Sequence, residues 1–381
     1  MNFTWTPDQV RLRAEYAEFG QEYLSQTVDA RWSRQQFATA AWDAVGKRGF
    51  WDLIIPEAYG GKGERWWDFV AAAEGMASTA TDGGFLLAII GQAGAIHALA
   101  QAGSAKQKAH WFPLLRQGAF SATAIAERHS GTDLAATQTL ASGPSGAWRL
   151  NGSKWHISQA PVAKLLLVTG KITGLNGSGL SLLLLDGEAP GVRRSAALNR
   201  FGNRTLPIGQ LTFADTPISE FQILGTPGRL SALRYAANLQ RALYGLLGAL
   251  LPTPALQMAE AFLAKRSSNS PLTSHQYLQG RITDAILARE QALWSGRAAL
   301  AAIFHRSPDR HLLSSIAKIS GVRSATETIQ QAIALMGSEG VLAPLIHRLR
   351  TDISEWVAVG GTEEAHRINI YHQHLRSEEK A

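Results

Sequence analysis

The apolar period changes twice along this chain, and that limits the folds open to it. From residue 7 to about 118 it is helical. Pro7 and Asp8 follow Thr6 in a helix-start pattern, and apolar residues recur at helical spacing through Val45. The stretch 49–63, with Pro56 and a glycine cluster, interrupts the helices before another at 67–78 and a short one from Ser104. From about 120 to 228 the pattern becomes short apolar runs, Leu165 to Thr169 and Leu180 to Leu185, and the alternating Ile208 to Phe213. Gly, Asn and Pro bound these runs, which predicts buried strands. Helical spacing then returns at 230–251, 254–266, 275–306 and 312–336, with a last helix after Thr362. The expected division is an N-terminal helical domain over 1–119, a middle β domain over 120–228 and a C-terminal helical bundle over 229–381. This is an α+β arrangement without internal repeats.

Composition narrows the chemistry. Of 381 residues, 45% are hydrophobic and 18% charged, too apolar a balance for extended disorder. There is no cysteine, which excludes disulfides, thiolate metal sites and thiol nucleophiles. The net charge of +7 is scattered, so a basic enzyme fits better than a nucleic-acid binder. The first residues lack a basic and then apolar leader pattern, and the cytoplasm is the expected compartment. The stretch 83–105 carries no charge, but Gln92, Gln101, His97 and five glycines suit a buried helix better than a bilayer, and no membrane association is expected.

Five motifs stand in order. They are Gly49-Phe50-Trp51 running to Gly60-Gly61; Ala126-Glu127-Arg128-His129-Ser130-Gly131-Thr132-Asp133; Leu150-Asn151-Gly152-Ser153-Lys154 with Ile157-Ser158; Gly337-Ser338-Glu339-Gly340; and Gly361-Thr362-Glu363-Glu364. In this succession the chain resembles the acyl-CoA dehydrogenase family of flavoproteins, over essentially its whole length. The resemblance implies an acyl-CoA dehydrogenase-like fold: helical N-terminal domain, small middle β-barrel or sheet, and antiparallel C-terminal bundle.

It also implies FAD, which needs donors at the ring edge and around its pyrophosphate. Ile157 and Ser158 would border the reactive N5 side, with the Ser158 hydroxyl as donor. His156 would take the place of an aromatic residue packed on the ring, and Ile125, Ala126 and Thr132 would contact the ring and its side chain. Thr362 and Glu364 precede a helix start that favours phosphate. Arg266 follows Arg241 by 25 positions, the family's spacing, and with Gln276 would reach a neighbouring subunit's FAD. A homodimer or homotetramer is therefore expected. Gly337 and Ser338 stand at the family's glycine pair. Here the match departs: Asn269-Ser270, Ala334, Ser338 and Thr351-Asp352 replace the usual residues, which points to a differently held adenosine half. Thr132, Asn238 and Arg241 match positions that touch the thioester arm.

The sharpest departure is the base. The family removes an α-proton with a glutamate directly before the Gly-Thr pair, and that residue is Gly360. A minority place it before the arginine matched by Arg241, where this chain has Gln240. Neither can accept a proton at neutral pH, and a positioned base contributes about 10²–10⁴-fold. The expected function is an FAD-dependent oxidoreductase acting on a small acyl thioester, on CoA or a carrier protein, in secondary metabolism and without the usual glutamate. Alternatives are a flavin-dependent monooxygenase of the same fold or a non-catalytic scaffold. Glu363, Glu364 and His366 are candidate replacements for the base, as is His156 if the oxidised carbon bears a hydroxyl or amine. Gly360 would also leave room in the acyl pocket, so Gly360→Glu alone would supply a missing base. The electron acceptor is not identified by the sequence.

Overall fold

The computed structural model describes residues 4–131, 133–175, 179–268 and 270–378. The N-terminal helices are α1 (Pro7–Phe19), α2 (Val28–Arg34), α3 (Thr39–Lys47), α4 (Trp66–Thr79), α5 (Gly83–Ala102) and α6 (Ala105–Arg116). Thr6 closes a capping box on α1: its hydroxyl accepts from Gln9 N at 3.3 Å, and Gln9 Oε1 accepts from Thr6 N at 3.1 Å. Helix α5 is long and apolar enough to cross a membrane by length and composition, but 89% of its apolar window is buried by the rest of the fold. It is the central helix of the core. Trp42 stacks on Phe120 at 4.6 Å and its Nε1 donates to the Gly118 carbonyl at 2.7 Å, fastening the helices to the first strand.

The sheet contains β1 (Ser121–Ala124), β2 (Leu140–Ser142), β3 (Trp148–Ser158), β4 (Leu165–Ile172), β5 (Leu180–Asp186), β6 (Val192–Arg194), β7 (Ile208–Ile218) and β8 (Ile223–Leu224). Its order is β6-β7-β3-β2-β4-β5-β8, with β1 parallel to β4. The unbroken apolar runs of β4 and β5 have a plain cause. Leu165, Leu167, Leu182 and Leu184 face the core shared with the helices, while Leu166, Val168, Leu183 and Leu185 face a second core inside the β layer. A strand buried on both faces has no polar side to alternate.

The C-terminal helices are α7 (Ser231–Leu250), α8 (Thr253–Lys265), α9 (Gln276–Phe304), α10 (Arg310–Met336), α11 (Ser338–Leu342), α12 (Pro344–Trp356) and α13 (Glu363–Glu378). Helices α11 and α12 are additions to the sequence expectation. Helix α12 opens with Pro344 and buries Ile346, Leu349, Ile353 and Trp356, a period hidden by its charged residues.

Glycines let α7 and α10 touch backbone to backbone. A Cβ at Gly321 would lie 1.9 Å from the Gly245 carbonyl oxygen, and one at Gly245 would lie 2.1 Å from that of Ala317. Neither contact can relax by a side-chain rotation. Gly321→Ala should therefore destabilise the protein by about 1–3 kcal/mol despite alanine's better helix propensity. Urea unfolding measures this, and an unchanged midpoint would show that the helices can part freely.

Candidate active site

The site residues gather where the sheet meets α5 and α7. On the sheet side, Lys154 is fully buried, and its ammonium donates to Glu127 Oε1 at 2.8 Å, Thr169 Oγ1 at 2.9 Å and the Ile125 carbonyl at 3.0 Å. Glu127 also accepts from the Gln138 and Thr139 amides and the Thr139 hydroxyl. Burial would raise the Glu127 carboxyl, but these donors, Lys154 first among them, overcome it and hold it at about 2. The exit of β1 is thus pinned onto β3, and Trp155 N donates to the Ala126 carbonyl at 2.8 Å.

Strand β3 slips register against β7 between Lys154 and Ile157, and His156 inside the slip has φ 60°. The irregularity re-aims the following side chains. Ile157 turns inward, Ser158 is half-buried, and His156 is exposed. Beside it the Arg128 guanidinium covers the Trp155 ring at 3.7 Å. Desolvation and the Arg200 charge lower the His156 pKa from 6.5, against a smaller opposing pull from Glu355. Its imidazole is therefore neutral at neutral pH. Gln159, which the sequence reading missed, is buried with φ 62° and an Nε2 lacking a hydrogen-bond partner.

The helices complete this space. Gln240 Nε2 lies 3.5 Å from both the Gly91 carbonyl and Thr123 Oγ1, and the place of a Cβ on Gly91 is 3.8 Å from Gln159 Oε1. Thr123, Gln159, Gly91 and Gln240 thus border one region. At Gly94 a Cβ would meet Gln240 Nε2 at 2.5 Å, so the small residue makes room for the amide.

The segment between α12 and α13 carries Gly360. Lys318 is buried and donates to the Val357 and Gly361 carbonyls at 2.6 and 2.9 Å, while Arg241 Nε donates to the Gly360 carbonyl at 3.2 Å. Gly360 has φ 73°, and a Cβ there would sit 2.7 Å from Tyr244 Cε2. This corrects the expectation of added room: the buried Tyr244 ring fills the space beside Gly360. Of the expected substitutes for the base, His366 stands beside this turn, the place of a Cβ on Gly361 lying 3.2 Å from its Nε2, and the two glutamates are engaged or exposed. Glu363 pairs with Arg323 and Arg367, and Glu364 is exposed. His366 is buried, with Nδ1 3.2 Å from Ser315 Oγ, and burial and Arg241 push it down to about 4. Thr362 caps α13, its hydroxyl accepting from Ala365 N at 3.4 Å.

Outside this joint lies a cleft of about 610 Å³ lined by Arg234, Asn238, Arg241, His311 and His372. Asn238 and His311 share a hydrogen bond at 2.9 Å. Arg241 makes no ion pair among the described residues. Thr132 lies outside the described residues. Arg266 rests over the Phe262 ring at 5.2 Å, Gln276 opens α9, and Gly337 (φ 61°) and Ser338 form the exposed joint of α10 and α11. These four stand at helix ends of the bundle.

A joint of sheet and bundle lined by amide and hydroxyl groups, with a cationic cleft nearby, agrees with a flavin-dependent oxidoreductase, the class that the comparisons define. The chain belongs to the acyl-CoA dehydrogenase family: the models of its N-terminal, middle and C-terminal domains match residues 6–119, 122–216 and 230–375. It is 25% identical over 387 residues to "Probable acyl-CoA dehydrogenase YngJ" of Bacillus subtilis (strain 168), covering 99% of this chain and 100% of the relative. Among solved structures, butyryl-CoA dehydrogenase from Megasphaera elsdenii is similar with a TM-score of 0.91, 22% identity and coverage of 98% and 100%. The prolyl acyl carrier protein oxidase AnaB is similar at 0.89, with 21% identity and coverage of 97% and 99%.

The family's cofactor is FAD, and the residues present fit it. Among the described residues, the partnerless Gln159 amide, the Ser158 hydroxyl and the stretched Gln240 contacts fit the polar edge that a flavin ring requires.

The Tyr244–Gly360 contact changes what a single substitution can do. Gly360→Glu alone should lower the melting temperature and leave butyryl-CoA unoxidised, because the side chain meets both a left-handed backbone and the tyrosine ring. Gly360→Glu combined with Tyr244→Ala should regain stability over the single variant and bleach the flavin with butyryl-CoA anaerobically. Full activity of the single variant would show that Tyr244 gives way.

Proposed function

We propose that this protein oxidises a small acyl thioester, carried on CoA or on a carrier protein, at a carbon that bears an amine or hydroxyl group. The observation that carries this reading is the content of the two base positions, amide at Gln240 and glycine backed by Tyr244 at Gly360. An unactivated α-proton needs a carboxylate close by. A carbon beside a heteroatom does not, because the heteroatom's lone pair stabilises the loss of hydride and the proton then leaves from nitrogen or oxygen. Bound FAD supplies the hydride acceptor at its N5.

The chain's own residues divide the remaining work. Ile125, Ala126, Ile157 and Ser158, with Gln159, hold the ring edge, and Thr362 and Glu364 stand near the phosphates at the start of α13. Arg266, Gln276, Gly337 and Ser338 reach the cofactor of a neighbouring copy. Arg241 and Asn238 orient the thioester arm in the cleft, whose cations suit a phosphopantetheine phosphate. The net charge of +7 speeds encounter with an acidic carrier protein. His156, neutral at neutral pH, accepts the proton. Reoxidation falls to an electron-transfer partner or oxygen.

Assembly as a homodimer or homotetramer is supported by apolar side chains left exposed on the bundle, among them Tyr277 and Leu287 of α9, Val341 and Leu342 of α11, and Ile368 and Tyr371 of α13. Light scattering should give two or four chains, and a monomer at micromolar concentration would refute this part.

Anaerobic titration tests the chemistry. Short acyl thioesters with an amine or hydroxyl on the reacting carbon should bleach the flavin, and butyryl-CoA should not. The base form of His156 exists above its pKa, which lies below the ordinary imidazole value, so kcat/KM should be level at neutral pH and fall only in more acid solution. His156→Gln should lower the rate about 10²-fold or more and abolish that acid limb. Ready bleaching by butyryl-CoA would end the proposal.

A further inference from the structure

A second cavity, of about 590 Å³, lies between the start of α4, the last turns of α5, α7 and the turn joining α9 to α10. We propose that it binds a planar aromatic carboxylate. The size is that of a small-molecule pocket.

Its walls are flat and aromatic. Trp66 stacks on Phe304 with centroids 5.5 Å apart and 24° between planes. The His97 ring meets Trp66 edge to face at 5.1 Å and Tyr235 at 6.0 Å. Such surfaces favour another π system in stacked or edge contact.

The lining sets Arg65, Arg306 and Arg310 against Glu64 and Asp68, a net of one positive charge, and two of the three guanidiniums are uncommitted. Arg65 is matched by Asp68 at 2.5 Å. Arg306 donates to the neutral Gln101 Oε1 at 3.0 Å, and Arg310 Nη1 donates to the Ser307 carbonyl at 2.7 Å. Neither Arg306 nor Arg310 pairs with a carboxylate among the described residues. A guanidinium fork is shaped for a carboxylate.

His97 supplies the independent sign of a missing ligand. It is only 5% exposed, it lines the cavity, and its Nδ1 has no hydrogen-bond partner. Burial and the Arg306 charge hold it down at about 4, so it is neutral and offers a hydrogen bond to a polar ring substituent. A buried polar atom of this kind is normally satisfied.

The cavity is distinct from the thioester cleft. The two share Asn238, whose hydrogen bond to His311 stands between them. The inference therefore does not rest on the proposed reaction.

The test is titration of the flavin-loaded protein with 2-naphthoate, followed by tryptophan fluorescence and calorimetry. One saturable site per chain is expected, with 2-naphthol bound at least tenfold more weakly. Arg306→Asn should weaken 2-naphthoate at least tenfold. Arg306 is exposed with φ 54°, a left-handed conformation that asparagine tolerates, so this variant should fold. Arg241→Gln, in the thioester cleft, should leave 2-naphthoate affinity unchanged. Absence of saturable binding would overturn the proposal. So would loss of binding in Arg241→Gln with retention in Arg306→Asn, which would put the probe in the cleft.

Discussion

The backbone contact between α7 and α10 sets the geometry of the whole joint. Because Gly245 and Gly321 have no side chains, Ala317 and Lys318 come against α7 at main-chain distance. That approach delivers the Lys318 ammonium to the Val357 and Gly361 carbonyls, the C-terminal end of α12 and the turn beyond it. Those carbonyls have no partners within the helix and welcome a cation. The same contact fixes Tyr244, next to Gly245, against Gly360. One close packing thus holds the turn where a base would sit and the ring that occupies its place.

Electrostatics follow from this arrangement. Lys318 is buried among carbonyls, and burial brings it down to about 8. Arg241, half-buried beside it, donates to Gly360 and lowers His366 further. A field of this sign would stabilise a carboxylate in the joint, yet the side chains against Gly360 and Gln240 are Tyr244, Arg241 and Thr123. Positive charge next to a reacting thioester instead favours negative charge developing on its carbonyl or phosphate arm. In the proposed reaction such a field would hold and polarise the thioester, and the proton would go to a neutral group.

The fold was legible because its periods are. The double-sided burial of β4 and β5 wrote unbroken leucine runs, and α5 wrote an uncharged one. The motifs at the joints led to Glu127, Lys154 and Ser158, and the emptiness of positions 240 and 360 was visible as plain letters. Tyr244 was not legible as an obstruction, since only the α7–α10 distance tells which side of the helix it faces. The single cue was a large aromatic four residues after Gln240, one turn along the same face. Gln159 was hidden because its role depends on a positive φ beyond a register slip. Helix α12 was hidden because Arg348 and Asp352, buried by polar partners, blurred its apolar stripe.

Helix α7 accordingly presents three faces to three environments. At about 100° per residue, Gln240 and Tyr244 share the side toward the sheet joint. Arg234 and Arg241, seven residues apart, share the side toward the thioester cleft, and Tyr235 turns to the aromatic cavity. Asn238 sits at the border of the last two. A helix packed on glycine against α10 cannot tilt toward one neighbour without disturbing the others, because interiors are too dense to absorb such a shift locally.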